Sequence, residues 1–160
     1  MAIDMFLKVE GIEGESKNAK HLKWIDVVSF NWGAKQPGNV AVGGGGGSGK
    51  VNYQDLTIQA LIDKSTPALL KYCSTGKHLP KLQLSICKSG GQEIEYTKIT
   101  LEEVLLTATE FIGQSYGATL GMAYSFQAGK VSLEYSEQTA DGGKGPSSIA
   151  GWDIKQNKEV

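Results

Sequence analysis

Five consecutive glycines, Gly43 to Gly47, followed by Ser48, Gly49 and Lys50, constrain this chain more than any other stretch. Such a run gives the backbone maximal freedom and lets it approach another surface closely, but ordering it costs much entropy. Three readings follow: a phosphate cradle, a flexible linker between domains, and a long loop projecting from one domain. A phosphate-binding loop needs Gly, four residues, Gly-Lys and then Ser or Thr to hold magnesium. Gly44 to Lys50 meets the first part, but Val51 stands where the hydroxyl belongs. A phosphate loop also opens a helix, whose N-terminal amides bind the anion. Here Val51, Tyr53, Leu56 and Ile58 are spaced like the apolar positions of a strand.

The linker reading is weakened by length. A chain of 160 residues is most simply one domain, residues 1–160. Cutting at the glycines would leave about forty residues with no complete set of elements. The stretch from Pro37 to Lys50 is therefore expected to be an extended loop of that domain. Lys and Arg total 16 against 17 Asp and Glu, with the basic residues scattered, so there is no electrostatic case for nucleic acid or an anionic membrane. No run approaches the roughly 20 apolar residues of a membrane span. The N-terminus, with Asp4 and no long apolar run, does not read as a cleaved signal peptide. Cys73 and Cys87 are too few for a disulfide framework and read as reduced small hydrophobes.

Periodicity gives mostly strands. Ala2–Val9 alternates, and so does Trp24–Trp32, where Trp24, Asp26, Val28, Phe30 and Trp32 share one face and Ile25, Val27, Ser29 and Asn31 the other. The far half of that second face is polar, as suits a barrel wall with one wet side. A long strand is expected over Val51–Ile62. A short helix follows, with Thr66 as N-cap, Pro67 at its first position and Gly76 as its stop. Strands are then expected over Leu79–Lys88, Glu93–Phe111 and Met122–Gln138, with a turn at Ser89–Gln92 and a loop over Gly113–Gly121. Gly142–Ser148 reads as a polar loop and Ala150–Ile154 as a short closing strand. About seven to nine strands and one helix make a mainly β sandwich or closed barrel.

No catalytic constellation emerges. His21 and His78 stand in turn-like surroundings without the clustered Asp, Glu or Cys of a metal site. Glu102 and Glu103 are adjacent and, in a strand, point to opposite faces. Ser48 lacks the strand-to-helix elbow of a nucleophile. Trp24, Phe30, Trp32 and Tyr53 lack basic neighbours and read as core rather than as a base-stacking surface. The reading is therefore no enzyme, no cofactor and no metal.

Several segments in fixed order resemble one family. They are Met1 to Lys8, Gly14-Glu15-Ser16-Lys17, His21, Ile25-Asp26-Val27, Trp32-Gly33, Ser48-Gly49-Lys50-Val51, Asp63-Lys64-Ser65-Thr66-Pro67, Gly76-Lys77-His78, Ile99-Thr100-Leu101 and Gly151-Trp152-Asp153. Together they are similar to the haemolysin co-regulated protein (Hcp) family, the tube subunits of bacterial type VI secretion. The resemblance implies a β-barrel of two antiparallel sheets with one short flanking helix, assembling into a homohexameric ring with a wide hole. Rings would stack into the inner tube, contact the sheath and spike proteins, and hold small effector proteins in the lumen. The protein would start in the bacterial cytoplasm and be secreted without a cleaved signal peptide, with no membrane insertion. With the sequence ending soon after Asp153, the C-terminal toxin domain of some relatives is not expected here. Gly43, Gly44, Gly45, Gly46, Gly47, Ser48 and Gly49 are expected to form the ring-stacking loop, and Ser29 and Asn31 to face the lumen and touch effectors. The alternative is a monomeric ligand-binding β-sandwich with no role in secretion.

Overall fold

The computed structural model describes residues 2–38, 40–42, 49–89, 93–113 and 120–160. Its strands, in chain order, are β1 (Ile3–Val9), β2 (Ile25–Asn31), β3 (Ala34–Lys35), β4 (Asn52–Tyr53), β5 (Leu56–Leu61), β6 (Leu79–Lys88), β7 (Ile94–Ile112), β8 (Gly121–Gln138), β9 (Lys144–Asp153) and β10 (Lys158–Glu159). Among the described residues one α-helix, α1 (Ser65–Thr75), lies between β5 and β6, and one 3-10 turn covers Val40–Val42. All strand pairings are antiparallel. The mainly β barrel with one helix agrees with the sequence reading.

The architecture turns on β8. Its first part pairs with β5, from Leu61↔Gly121 to Leu56↔Phe126, and its second part pairs with β9, from Lys130↔Asp153 to Gln138↔Lys144. Along the other side β7 pairs with β8 from Thr97↔Tyr135 to Ile112↔Gly121. The sheet order β8-β5-β2-β1-β6-β7 therefore returns to β8 and closes, while β9 and β10 extend it as a wing. Closure leaves those six strands without open edges in the barrel wall. β3 and β4 form a separate two-stranded sheet.

Alternation fills the interior. Leu7, Ile58, Leu84, Leu101, Tyr124 and Phe126 are buried and belong to one core cluster. The helix closes over it: Leu69 is fully buried, and the Tyr124 hydroxyl donates to Thr66 Oγ1 at 3.2 Å. Gly76 ends α1 in the left-handed region at φ 67°, donating its N–H to Tyr72 O, as its C-terminal position requires.

Local expectations need correction at several places. The helix starts at Ser65, with Lys64 rather than Thr66 at the cap position and no side-chain cap from Lys64 itself. Asp63 does the capping: its Oδ1 accepts from Ser65 N at 2.8 Å, while Thr66 Oγ1 accepts from Asp63 N at 3.1 Å. The expected strand Val51–Ile62 is two strands that serve different sheets, broken at Gln54 and Asp55. Gln54 N leaves the ladder to reach Gly33 O at 3.0 Å. Lys144–Ser148 is not loop but the start of β9; a register shift between Ser136 and Gln138 accommodates Pro146, which has no N–H to offer a regular ladder. Residues 90–92 of the expected turn at Ser89–Gln92 and most of the Gly113–Gly121 loop lie outside the described residues.

If Leu69 anchors α1, Leu69→Ala should lower unfolding free energy by about 2–5 kcal/mol. Leu70→Ala, on a side chain 42% exposed, should change it by well under that. Urea denaturation of the two variants measures the contrast.

Candidate functional site

Three features outside the core bear on function. The first is the stem beneath the glycine stretch. Ala34 pairs with Tyr53 and Lys35 with Asn52, and Gln36 Nε2 donates to Gly49 O at 2.8 Å. Gly49 itself lies against Pro37, where an added Cβ would come within 2.6 Å of Pro37 Cγ, so the close approach requires glycine. The chain before and after the stretch is thus joined by strand pairing, and β2 and β5 on either side of it pair in the same barrel wall. Lys50 leads into β4 rather than a helix, so the helix N-terminus that a phosphate cradle needs is not there. Of the expected stacking residues, Gly49 is described, whereas Gly43, Gly44, Gly45, Gly46, Gly47 and Ser48 lie outside the described residues.

The second is the outer face of β2, β5 and β8. Register shifts between Val27 and Ser29: Val27 opposes Ala60, but Ser29 opposes Gln59, so Val28 is the extra, bulged residue. This corrects the face assignment, since Ile25 and Val27 point to the core side, and after the bulge Phe30 opposes buried Ile58 on that side but stays 37% exposed rather than joining the core as expected. Ser29 and Asn31 remain on the polar outer face. Ser29 Oγ donates to Gln59 Oε1 at 3.0 Å, and Asn31 Oδ1 accepts from Gln54 Nε2 at 2.7 Å. Thr57, Gln59, Ala123 and Ser125 share this face, each strand position alternating with buried Leu56, Ile58, Ala60, Met122, Tyr124 or Phe126. Those six positions make a wall of small or amide-bearing, uncharged side chains, bordered by Asp26 on β2 and by Glu110 of β7, which opposes Ala123.

The third was missed by the sequence reading, which placed His21 apart from Asp, Glu or Cys. His21 is buried, stacked on Phe6 with centroids 4.4 Å apart and met edge-on by Trp24 at 4.7 Å. Its Nδ1 lies 3.0 Å from Asn18 Oδ1 and 3.4 Å from Glu93 Oε1, and its Nε2 lies 3.0 Å from Ser85 Oγ. Cys87 Sγ at 4.0 Å and Glu95 Oε2 at 3.9 Å also face Nε2. A second register shift, between Ile86 and Cys87, brings Glu95 opposite Cys87. Ser85 Oγ donates to Glu95, and Asn18 Nδ2 donates to Glu93 Oε2 at 2.7 Å. Burial pushes the Cys87 thiol up to about 11, with Ser85 acting the other way and Glu93 and Glu95 reinforcing the rise. The available signal was the alternation itself: Ser85 with Cys87, and Glu93 with Glu95, share faces of two strands joined by a short connection. The loop that delivers His21 to them has no such period. His78, as expected, is exposed in the turn before β6.

Comparison with known proteins gives one answer. The family model described as "Type VI secretion system effector, Hcp" matches residues 6–141. The chain is 44% identical to protein hcp1 of Pseudomonas aeruginosa over 162 aligned positions, covering 100% of both chains. Hcp1 from Salmonella typhimurium is similar in structure at a TM-score of 0.84 and 33% identity, covering 100% of each chain. A structure described as a type six secretion system protein reaches a TM-score of 0.93 at 27% identity, covering 99% of this chain and 100% of the other.

The two thiols should behave differently. With Cys73 half-buried on α1 and Cys87 buried, a thiol-reactive disulfide reagent at pH 8 should titrate one cysteine in the native protein and the second only after denaturation. Because the folded Cys87 pKa is raised from 9.0, its contribution to stability is fully present below pH 9 and is lost as pH rises from there through about 11. Native-state labelling of Cys87 as fast as Cys73 would contradict this assignment.

Proposed function

The chain belongs to the Hcp family of type VI secretion, structural tube proteins and not enzymes, and from that membership we infer that it forms hexameric rings that stack into the secretion tube. In this reading the protein is itself secreted, contacts sheath and spike, and holds small effector proteins in the ring lumen. The match along the full length of a relative carries the reading, because it spans the barrel, the helix and the terminal wing alike.

The physical features are consistent with it. A tube subunit has to present one face to a water-filled channel through which cargo passes. The face made by Ser29, Asn31, Thr57, Gln59, Ala123 and Ser125 suits such a channel, because it is wet and uncharged and offers hydrogen bonds without a large apolar surface on which cargo would stick. A formal net charge of -1 lets copies stack without strong mutual repulsion. The stem formed by β3 and β4, with Gln36 and Gly49 at its end, ties together the two ends of the glycine stretch proposed to contact an adjoining ring. Among the described residues no helix is long and apolar enough to cross a membrane.

Two variants separate the roles. Asn31→Lys should leave rings intact but weaken effector retention on the order of tenfold, about 1.4 kcal/mol; loss of the rings would contradict a lumenal position. Deleting residues 43–47 should spare the hexamer and reduce stacking and secretion. A deletion variant that no longer forms hexamers would contradict the stacking role. Size-exclusion chromatography with effector co-elution reads the first, and electron microscopy with a secretion assay the second.

A further inference from the structure

We propose that His21, Cys87 and Glu93 form a binding site for a borderline divalent cation of the zinc class, in which the metal ties the β1–β2 connection to the β6–β7 hairpin. The donor atoms of these three residues lie within 4.8 Å of one another, on two buried side chains and one half-buried one. A tetrahedral zinc ion, with bonds of about 2.0–2.3 Å, needs donors about 3.5 Å apart. A shift of about an ångström, within reach of side-chain rotation, closes the set.

Three observations support the assignment. Asn18 Oδ1 accepts from Lys20 N and His21 N, and its own Nδ2 donates to Glu93, so the amide orientation is fixed. Asn18 Oδ1 is therefore an acceptor toward His21 Nδ1, while Nε2, 3.0 Å from Ser85 Oγ, is the ring nitrogen that faces Cys87 and Glu95. Metal-bound histidines are commonly oriented this way, through a hydrogen bond from the second ring nitrogen. Glu93 Oε1 is buried and has no hydrogen-bond partner, an unmet acceptor at the edge of the cluster. The charges also balance: a thiolate and one carboxylate neutralise a divalent ion, with the imidazole neutral, so the buried site holds no net charge. Glu95 is held by Ser85 beside the site, which leaves the fourth position to water.

The binding step breaks the Cys87 S–H bond, forms the metal–sulfur bond and releases the proton to solvent; the His21 contact with Ser85 is exchanged for the metal. A sulfur, nitrogen and oxygen set of this kind favours zinc or cobalt over magnesium or calcium, which take oxygen ligands.

Cobalt(II) titration of the full-length, reduced protein tests the site. The expected result is one cobalt per chain, with a thiolate-to-cobalt charge-transfer band in the near ultraviolet that zinc displaces. Cys73→Ser should keep the band, because Cys87 is then the sole thiol, and Cys87→Ser should lose it. Glu93→Gln should weaken binding roughly 10–100-fold. Absence of the band in the unaltered protein, or its loss in Cys73→Ser, would overturn the proposal. The Cys73→Ser result decides the question even if Cys87→Ser fails to fold.

Discussion

The pairing of β7 with β8 is the interaction on which the rest of the molecule depends. Each strand is far longer than the others, and their shared ladder from Thr97↔Tyr135 to Ile112↔Gly121 closes the barrel at one end and supports the wing at the other. Without it β8 could not serve β5 and β9 in turn, and the strands from β5 through β6 would form an open sheet with two exposed edges. Closure fixes the inside and outside of every strand, because a one-residue slip anywhere would turn its buried set outward. The uncharged outer face is a direct result, as Ser125 and Ala123 are outside only because Tyr124 and Phe126 are held inside.

Bulges then adjust what closure fixes. The extra residue at Val28 keeps Ser29 and Asn31 outside while Phe30 turns to the core side. The shift between Ile86 and Cys87 brings Glu95 onto the face where His21 docks. Bulges commonly re-aim side chains at functional positions, and in this barrel two of them shape the two outward features that carry chemistry. The same closed wall thus supports a polar surface suited to assembly and a buried cluster suited to binding.

Much of this was legible in the residues. Leu79–Lys88 shows its strand in the alternation of Leu82, Leu84 and Ile86 with Lys81, Gln83 and Ser85, and the structure has those bounds. Gly76 marks the end of α1 because the next backbone position is left-handed. The long strand near Glu93–Phe111, expected with one interruption at most, also followed from its β-branched content, against the helical look of Leu101–Leu106. What was not legible depends on partners far away in sequence. The bulge at Val28 exists because β5 offers Gln59 where regular pairing would not, and nothing within Trp24–Trp32 encodes that. Lys144–Ser148 looks like loop by composition and becomes strand because β8 supplies a long open side. His21 gained its neighbours by the same route, through a loop whose path only the folded barrel defines.

The central claim is that this barrel closes into a ring with its uncharged outer face toward the hole. Cryo-electron microscopy of the purified full-length protein tests it most directly. The account predicts six-fold rings in which Ser29, Asn31, Thr57 and Gln59 line the central channel. Monomers throughout, or rings with that face turned to the outside, would contradict it.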